Sequence, residues 1–453
     1  MFWKSLPLAA RIMLGLAVVT SIAVAARSTS DSPHREFWLF SRTHLGLYEP
    51  LLASWSPRSE PPFRMALLSS VVLERRLQSS FFSGTPGPDL VEIERHSMSQ
   101  FFSGPLRDVG FADLTDRIRS EGLDRDILPA SFSPWTSRGR IFGLPHDVHP
   151  VLLAYRADIV EAAGIDLSQA ATWDEFFALL RPLQKLGPDG VPLHIPLAFS
   201  ISDPNQVEAL LLQGGGSLFG AADRPALDSA RNAEILAALV SWTLGAAPRT
   251  VEADEFTASG NRLKLEGFIL AALMPDWLTE TWKVDLPGLG GKVKLMPLPA
   301  WTEGGLRTTV MGGTMLGIPR NAKSLDESWE AAKRLYLGEA AAVALFDKTG
   351  IVTPVSCYWG NPVFDRSDPY FCGQTAGRLY VQAAARVPVR PSSPLNNFAL
   401  ARFSDAAARL RAFAERERLS RPGELIPEAA RLLRDAQAAV SRQAEHNTFL
   451  AAP

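Results

Sequence analysis

"SGTPGPDLVEIERH", residues 83–96, decides how the first half of the chain is read. Turn-forming Gly and Pro give way to Leu90, Val91 and Ile93, the composition of a buried strand, yet Glu92 and Glu94 are interleaved with them. A core strand carries carboxylates only where a partner or a solvated crevice receives them, because an unpaired buried charge is strongly unfavourable. Two units of the same kind come before it. "EFWLF" (36–40) precedes Leu47, Leu51, Leu52 and Trp55 at helical spacing, and "FRMALL" (63–68) precedes Val72, Leu73, Leu77 and Phe81. With "PDLVEIE" as the third strand, the order β-α-β-α-β predicts parallel strands with right-handed crossovers. Ligands of such open sheets sit beyond the carboxyl ends of the strands. That rule places "SRTH" (41–44) beside Glu92 and Glu94, so that Ser41, Arg42 and both acids are candidate ligand contacts facing a solvated crevice. Glu94 lies further along the strand and nearer the crevice, whereas Glu92 is expected to be tied to a backbone or basic partner.

The 453 residues suffice for two or three domains with sizeable cores. Charged residues make up 21% and the mean hydropathy is close to zero, the balance of an ordinary soluble globular protein. A net charge of −2 gives no global basic field, which argues against a nucleic-acid partner.

Lys4 and Arg11 precede fifteen uncharged, mostly apolar residues, "IMLGLAVVTSIAVAA", that end in small side chains before Arg27. A basic start, a short apolar stretch and an A-x-A-like end form the pattern of a secretory signal peptide over residues 1–26. The stretch is short for a membrane span of about 20 residues, though an uncleaved anchor is the alternative. Removal of the segment leaves 44 basic against 48 acidic residues. Periplasmic export follows, and in an oxidising compartment the only two cysteines, Cys357 and Cys372, either pair or remain free thiols.

Further along, "GRIFGLPHDVHPVLLAYRADIVEAAGID" (139–166) reads as extended segments leading into a helix near Ala157. "TWDEFFALLRPL" (172–183) is a helix with Thr172 as N-cap and Glu175 in the capping-box position. "DSARNAEILAALVSWT" (228–243) and "SLDESWEAAKRLYL" (324–337) are helices, "KVKLMPLP" (292–299) a strand, and "TVMGGTMLGIP" (309–319) a second extended crossing. The C-terminal third ends in Ala/Arg-rich helices such as 427–443.

Five of these segments, in order, resemble the family 1 extracellular solute-binding proteins of ABC importers, the group that includes maltose-binding protein. The segments are "FWLFSRTHLGLYEPLLASW", "GPDLVEIE", "LPHDVHPVLLAYRADIVEAAGID" with "TWDEFFALL", "FTASGNRLKLEGFILAALMPDW" and "VMGGTMLGIPRNA". The resemblance implies an α/β, two-lobed clamshell of type II, each lobe a mostly parallel sheet flanked by helices. One lobe would hold 35–147 plus 311–350 and the other 151–308 plus 352–447, with a sugar or related polyol clamped between them and delivered to the permease subunits in the membrane. It further implies a monomer without cofactor and without catalytic residues.

Asp147 and His149 alternate on one strand face at the crossing and are read as cleft hydrogen-bonders or hinge residues. "HDVH" lacks a third ligand placed by sequence, so no metal is expected there. Asp203 and Asn205 in "SDPN" either meet the cleft or cap a helix. Gly312 and Gly313 permit close backbone approach. Trp277 is the expected stacking surface for a sugar ring, and Asn397 completes the candidate set. A periplasmic sensor partner is the alternative function. A carbohydrate-active enzyme using spaced carboxylates such as Glu94 and Asp147 is a further one, but the chain has no G-x-S-x-G, H-E-x-x-H or G-x-G-x-x-G.

Overall fold

A computed structural model describes residues 7, 13, 15–20, 34–55, 63–188 and 190–449. The expected signal segment lies outside the described residues apart from Pro7, Met13 and a helical run at 15–20. Among the described residues no helix is long and apolar enough to cross a membrane.

Two five-stranded sheets organise two lobes. The first uses β1 (Arg35–Leu39), β2 (Phe63–Leu67), β3 (Leu90–Glu94), β4 (Leu144–Pro145) and β10 (Thr314–Gly317), in the order β2-β1-β3-β10-β4. The second uses β5 (Val151–Arg156), β6 (Ile195–Ala198), β7 (Thr250–Val251), β8 (Ile269–Pro275) and β9 (Val293–Pro297), in the order β9-β5-β8-β6-β7. β1 pairs in parallel with β2 and β3, as the β-α-β-α-β pattern predicts. The intervening helices are α1 (Arg42–Trp55) and α2 (Ser70–Ser83), and β3 runs into α3 (Arg95–Phe101).

Each sheet has one strand running against the rest. β10 is antiparallel to β3 and β4, and β5 is antiparallel to β8 and β9. Both are the strands by which the chain arrives from the other lobe. Strands of each sheet point their carboxyl ends at the cleft, so a chain that crosses the cleft enters at those ends and must run the opposite way. The two crossings also pair with each other: Val151 N donates to Thr309 O (3.0 Å) and Met311 N to His149 O (3.2 Å). A third crossing joins them through Val148 N to Val352 O (3.3 Å).

Alternation along the strands feeds cores on both faces of each sheet. Phe37, Leu39 and Leu90 pack on one face of the first sheet, and Trp38, Val91 and Ile93 on the other. In the second, Leu153 and Ala271 oppose Leu152 and Ala272. Thr172 and Glu175 form the expected reciprocal capping box at the start of α4 (Trp173–Leu180). α5 (Pro204–Gln213) and α6 (Ala230–Trp242) follow, and Ser324 caps α7 (Leu325–Tyr336) by accepting from Glu327 N. The Ala/Arg-rich end forms α8 (Asn396–Glu417) and α9 (Pro422–His446), whose apolar faces join the second lobe's core. The helix expected from Ala157 is only one turn, Ala157–Val160. Cys357 and Cys372 are both exposed free thiols, so of the two alternatives the unpaired one is realised.

Candidate ligand cleft and hinge

Glu92 faces no crevice. Its side chain is fully buried beneath α1 and α7, which corrects the expectation that both strand acids look into solvent. Alternation turns Val91 and Ile93 to one face and Glu92 to the other, where three polar side chains converge on it. Tyr48 and Tyr336 hydroxyls donate to Oε1 at 2.6 and 2.7 Å, and His44 Nδ1 lies 3.0 Å from Oε2. Burial pushes the carboxyl's pKa up, but the facing His44, His146 and the Tyr336 hydroxyl together outweigh it and hold the group at about 2. The partner foreseen for Glu92 is therefore real, and it comes from α1 and α7. Glu94 stands at the strand's end, half-buried, at the entry to α3.

Asp147 and His149 lie inside the hinge. Both are buried, with 6% and 4% of their surface exposed, and Oδ2 of Asp147 and both ring nitrogens of His149 are engaged within the protein. Asp147 Oδ2 accepts from Thr314 N (3.1 Å) and lies 3.0 Å from His149 Nε2 and 3.2 Å from His146 Nδ1. On its other side His149 Nδ1 is 2.7 Å from Asp276 Oδ1. Burial alone would lower the imidazole's pKa, yet two flanking carboxylates raise it to about 10, so at neutral pH His149 is a cation bonded to both. Asp276 reaches the third crossing too, accepting from Val352 N (2.8 Å), while its backbone N donates to Pro150 O (3.2 Å). One carboxylate–imidazolium–carboxylate chain thus ties all three crossings. Gly312 (φ 114°) and Gly313 (φ 134°) make room for it: a Cβ on Gly312 would meet His149 Cδ2 at 2.7 Å.

Beside the hinge, an ion pair spans the lobes. Arg95 at the start of α3 donates from Nη1 and Nη2 to Glu208 of α5 at 2.7 and 2.8 Å. Arg390, also buried, donates to Gly312 O and Val310 O and stands 3.8 Å from the same carboxylate. Asn397, exposed on α8, donates from Nδ2 to His96 O (2.7 Å), so it too bridges the lobes.

The remaining candidates sit at strand ends or helix starts. Trp277 follows β8, half-buried, with Nε1 donating to Met311 O (3.0 Å). Its ring stacks on Phe256, with centroids 6.3 Å apart and planes at 15°. Phe256 is 70% exposed. Asp203 caps α5, accepting from Asn205 N (2.9 Å), which is the capping alternative; Asn205 is exposed. Ser41 Oγ accepts from His44 N (3.4 Å), and Arg42 is exposed at the start of α1.

Arg95, Glu208, Arg390 and Asp276 were not singled out in the sequence, because their role depends on pairing over more than 75 residues. Asp276 alone carries a local signal, as the acid directly before Trp277 at a strand end.

Two lobes, each with one reversed entry strand, and a hinge of three crossing segments between them define a bivalve binding protein. The model of the bacterial extracellular solute-binding proteins matches residues 69–342, more than half the chain, and the chain belongs to that family. It is 25% identical over 350 residues to the arabinooligosaccharide-binding protein of Halalkalibacterium halodurans, covering 74% of each chain. It is 26% identical over 328 residues to the protein of the same name from Bacillus subtilis, covering 70% of this chain and 72% of that one. Among solved structures, the sugar-binding protein MalE from Xanthomonas citri superposes with a TM-score of 0.71 at 16% identity, covering 91% of this chain and 99% of that one. At that identity the likeness concerns the fold.

Proposed function

We propose that this protein is the ligand-capturing component of an ABC importer, exported to the periplasm, where as a monomer it holds a neutral oligosaccharide of the arabinose class and delivers it unchanged to a membrane permease. The aromatic plate formed by Trp277 and the exposed Phe256 carries this reading: sugar C–H faces stack on rings, and pockets for small ligands combine such walls with a few placed polar groups. The names of the two curated relatives support the ligand class. Ser41, Arg42 and Glu94 supply polar groups from one lobe; Asn205 and Asn397 supply them from the other, with Asp203 holding the start of α5. Glu92, Asp147, His149 and the two hinge glycines serve the ligand indirectly, by fixing the geometry around which the lobes, 35–147 plus 311–350 and 151–308 plus 352–447, close.

A thermal-shift screen over arabinooligosaccharides, maltose, galactobiose and sugar phosphates tests the reading. A ligand at one hundred times its Kd adds about 2.7 kcal/mol of stability, so the arabinooligosaccharide should raise Tm clearly and be recovered intact. Failure of every sugar to raise Tm, or release of reducing ends during incubation, would overturn it.

A further inference from the structure

Inside the first lobe, His44, Glu92 and His146 bring one nitrogen or oxygen each within 4.8 Å of one another, and all three are buried. Each of two of these groups is held from behind, leaving one atom directed at the common point. The Tyr48 and Tyr336 hydroxyls occupy Oε1 of Glu92 and leave Oε2 toward His44. Asp147 Oδ2 engages Nδ1 of His146, and Nε2 of that ring is a buried nitrogen with no hydrogen-bond partner among the described residues. A buried polar atom without a partner is unfavourable, so an imidazole placed there needs a reason. The His146 ring packs 4.5 Å from that of His44, centroid to centroid.

We propose that His44, Glu92 and His146 form a binding site for one divalent transition-metal ion, zinc by preference, that pins α1 to the strand leading into the hinge. Two imidazoles and one carboxylate are ligands that zinc accepts, with a fourth position left open. A carboxylate behind a ligating imidazole is the usual arrangement that fixes its tautomer and raises its basicity, and Asp147 stands in that place behind His146. Bonds of about 2.0–2.2 Å to a tetrahedral ion hold ligand atoms about 3.4 Å apart; His44 Nδ1 and Glu92 Oε2 already stand at 3.0 Å and all three groups within 4.8 Å, so shifts of at most about 1.4 Å close the shell. The pattern "HDVH" thus does contribute a ligand, but its second histidine belongs to the hinge. The third group comes from a strand more than 50 residues earlier. The site lies within one lobe and does not depend on which sugar the cleft takes.

Because the ligands are buried, the test begins with full-length protein unfolded in urea with EDTA, freed of both by dialysis and refolded with or without zinc or cobalt. One ion per chain by elemental analysis, a higher Tm, and visible cobalt bands of a four-coordinate nitrogen–oxygen site are expected. His146→Gln should weaken binding at least 100-fold, and Asp147→Asn about 10–100-fold, whereas His96→Gln, an exposed position, should leave it unchanged. X-ray absorption on zinc-loaded wild type counts imidazoles directly should a variant fail to fold, and two are expected. Substoichiometric ion in the wild type, unchanged binding in folded His146→Gln, or a zinc shell without imidazole would each overturn the proposal.

Discussion

Arg95 and Glu208 join the two lobes by a two-pronged ion pair, 2.7 and 2.8 Å long, from which water is largely excluded. Bidentate pairing is the strong form of this interaction, and burial makes its rupture costly. Glu208 also answers Arg390. Glu208→Gln leaves two buried guanidinium groups facing a neutral amide and should destabilise the protein by about 3–5 kcal/mol in urea unfolding. A loss below 0.5 kcal/mol would show the pair to be solvated in solution.

The hinge imidazolium gives a pH signature. A histidine raised from its ordinary value to about 10 contributes stability that is complete below pH 6.5 and is lost as pH climbs through 10. The flanking groups responsible are Asp147 and Asp276. Thermal melts from pH 6 to 10.5 should show a steady fall that is much reduced in His149→Gln. Identical slopes in the two proteins would exclude the assignment.

Gly312 tests the packing of the crossings. An alanine there meets both a positive φ and contact with His149 and the Trp277 indole nitrogen, the latter at 3.0 Å. Gly312→Ala should cost about 1–3 kcal/mol and weaken ligand binding, while Gly304→Ala, with open space at its Cβ, should pay only the backbone strain. Calorimetric melts of the two variants make the comparison.

Both cysteines are exposed and unpaired. Native protein treated with an alkylating reagent without prior reduction should gain two labels by mass spectrometry; recovery of unlabelled protein two mass units light would indicate a disulfide.

Much of this architecture was legible because it is written locally. Strand and helix periods between Glu36 and Glu94, the capping box at Thr172 and the cap at Ser324 are set by residues within a few positions of each other. The same periodicity marked Glu92 as anomalous, and alternation explains why it points away from Val91 and Ile93. It could not show what covers Glu92, since Tyr336 arrives from more than 240 residues away. The crevice rule grouped Arg42, Glu92 and Glu94, yet Glu92 turns into the core, because the rule speaks of strands and not of faces. Asp147 and His149 were found by their alternation; that they close on Asp276 and so serve the hinge depends on the register of β8 against β5, which no short motif encodes.

The central claim, a sugar held against Trp277 between the lobes, is tested most directly by titration calorimetry with an arabinooligosaccharide on the wild type and on Trp277→Ala shown to be folded by circular dichroism. Loss of a large side chain's burial against ligand amounts to about 1.5–3 kcal/mol, so the wild type should bind one ligand per chain and the variant about 10–150-fold more weakly. Equal affinity in the two proteins would contradict the account.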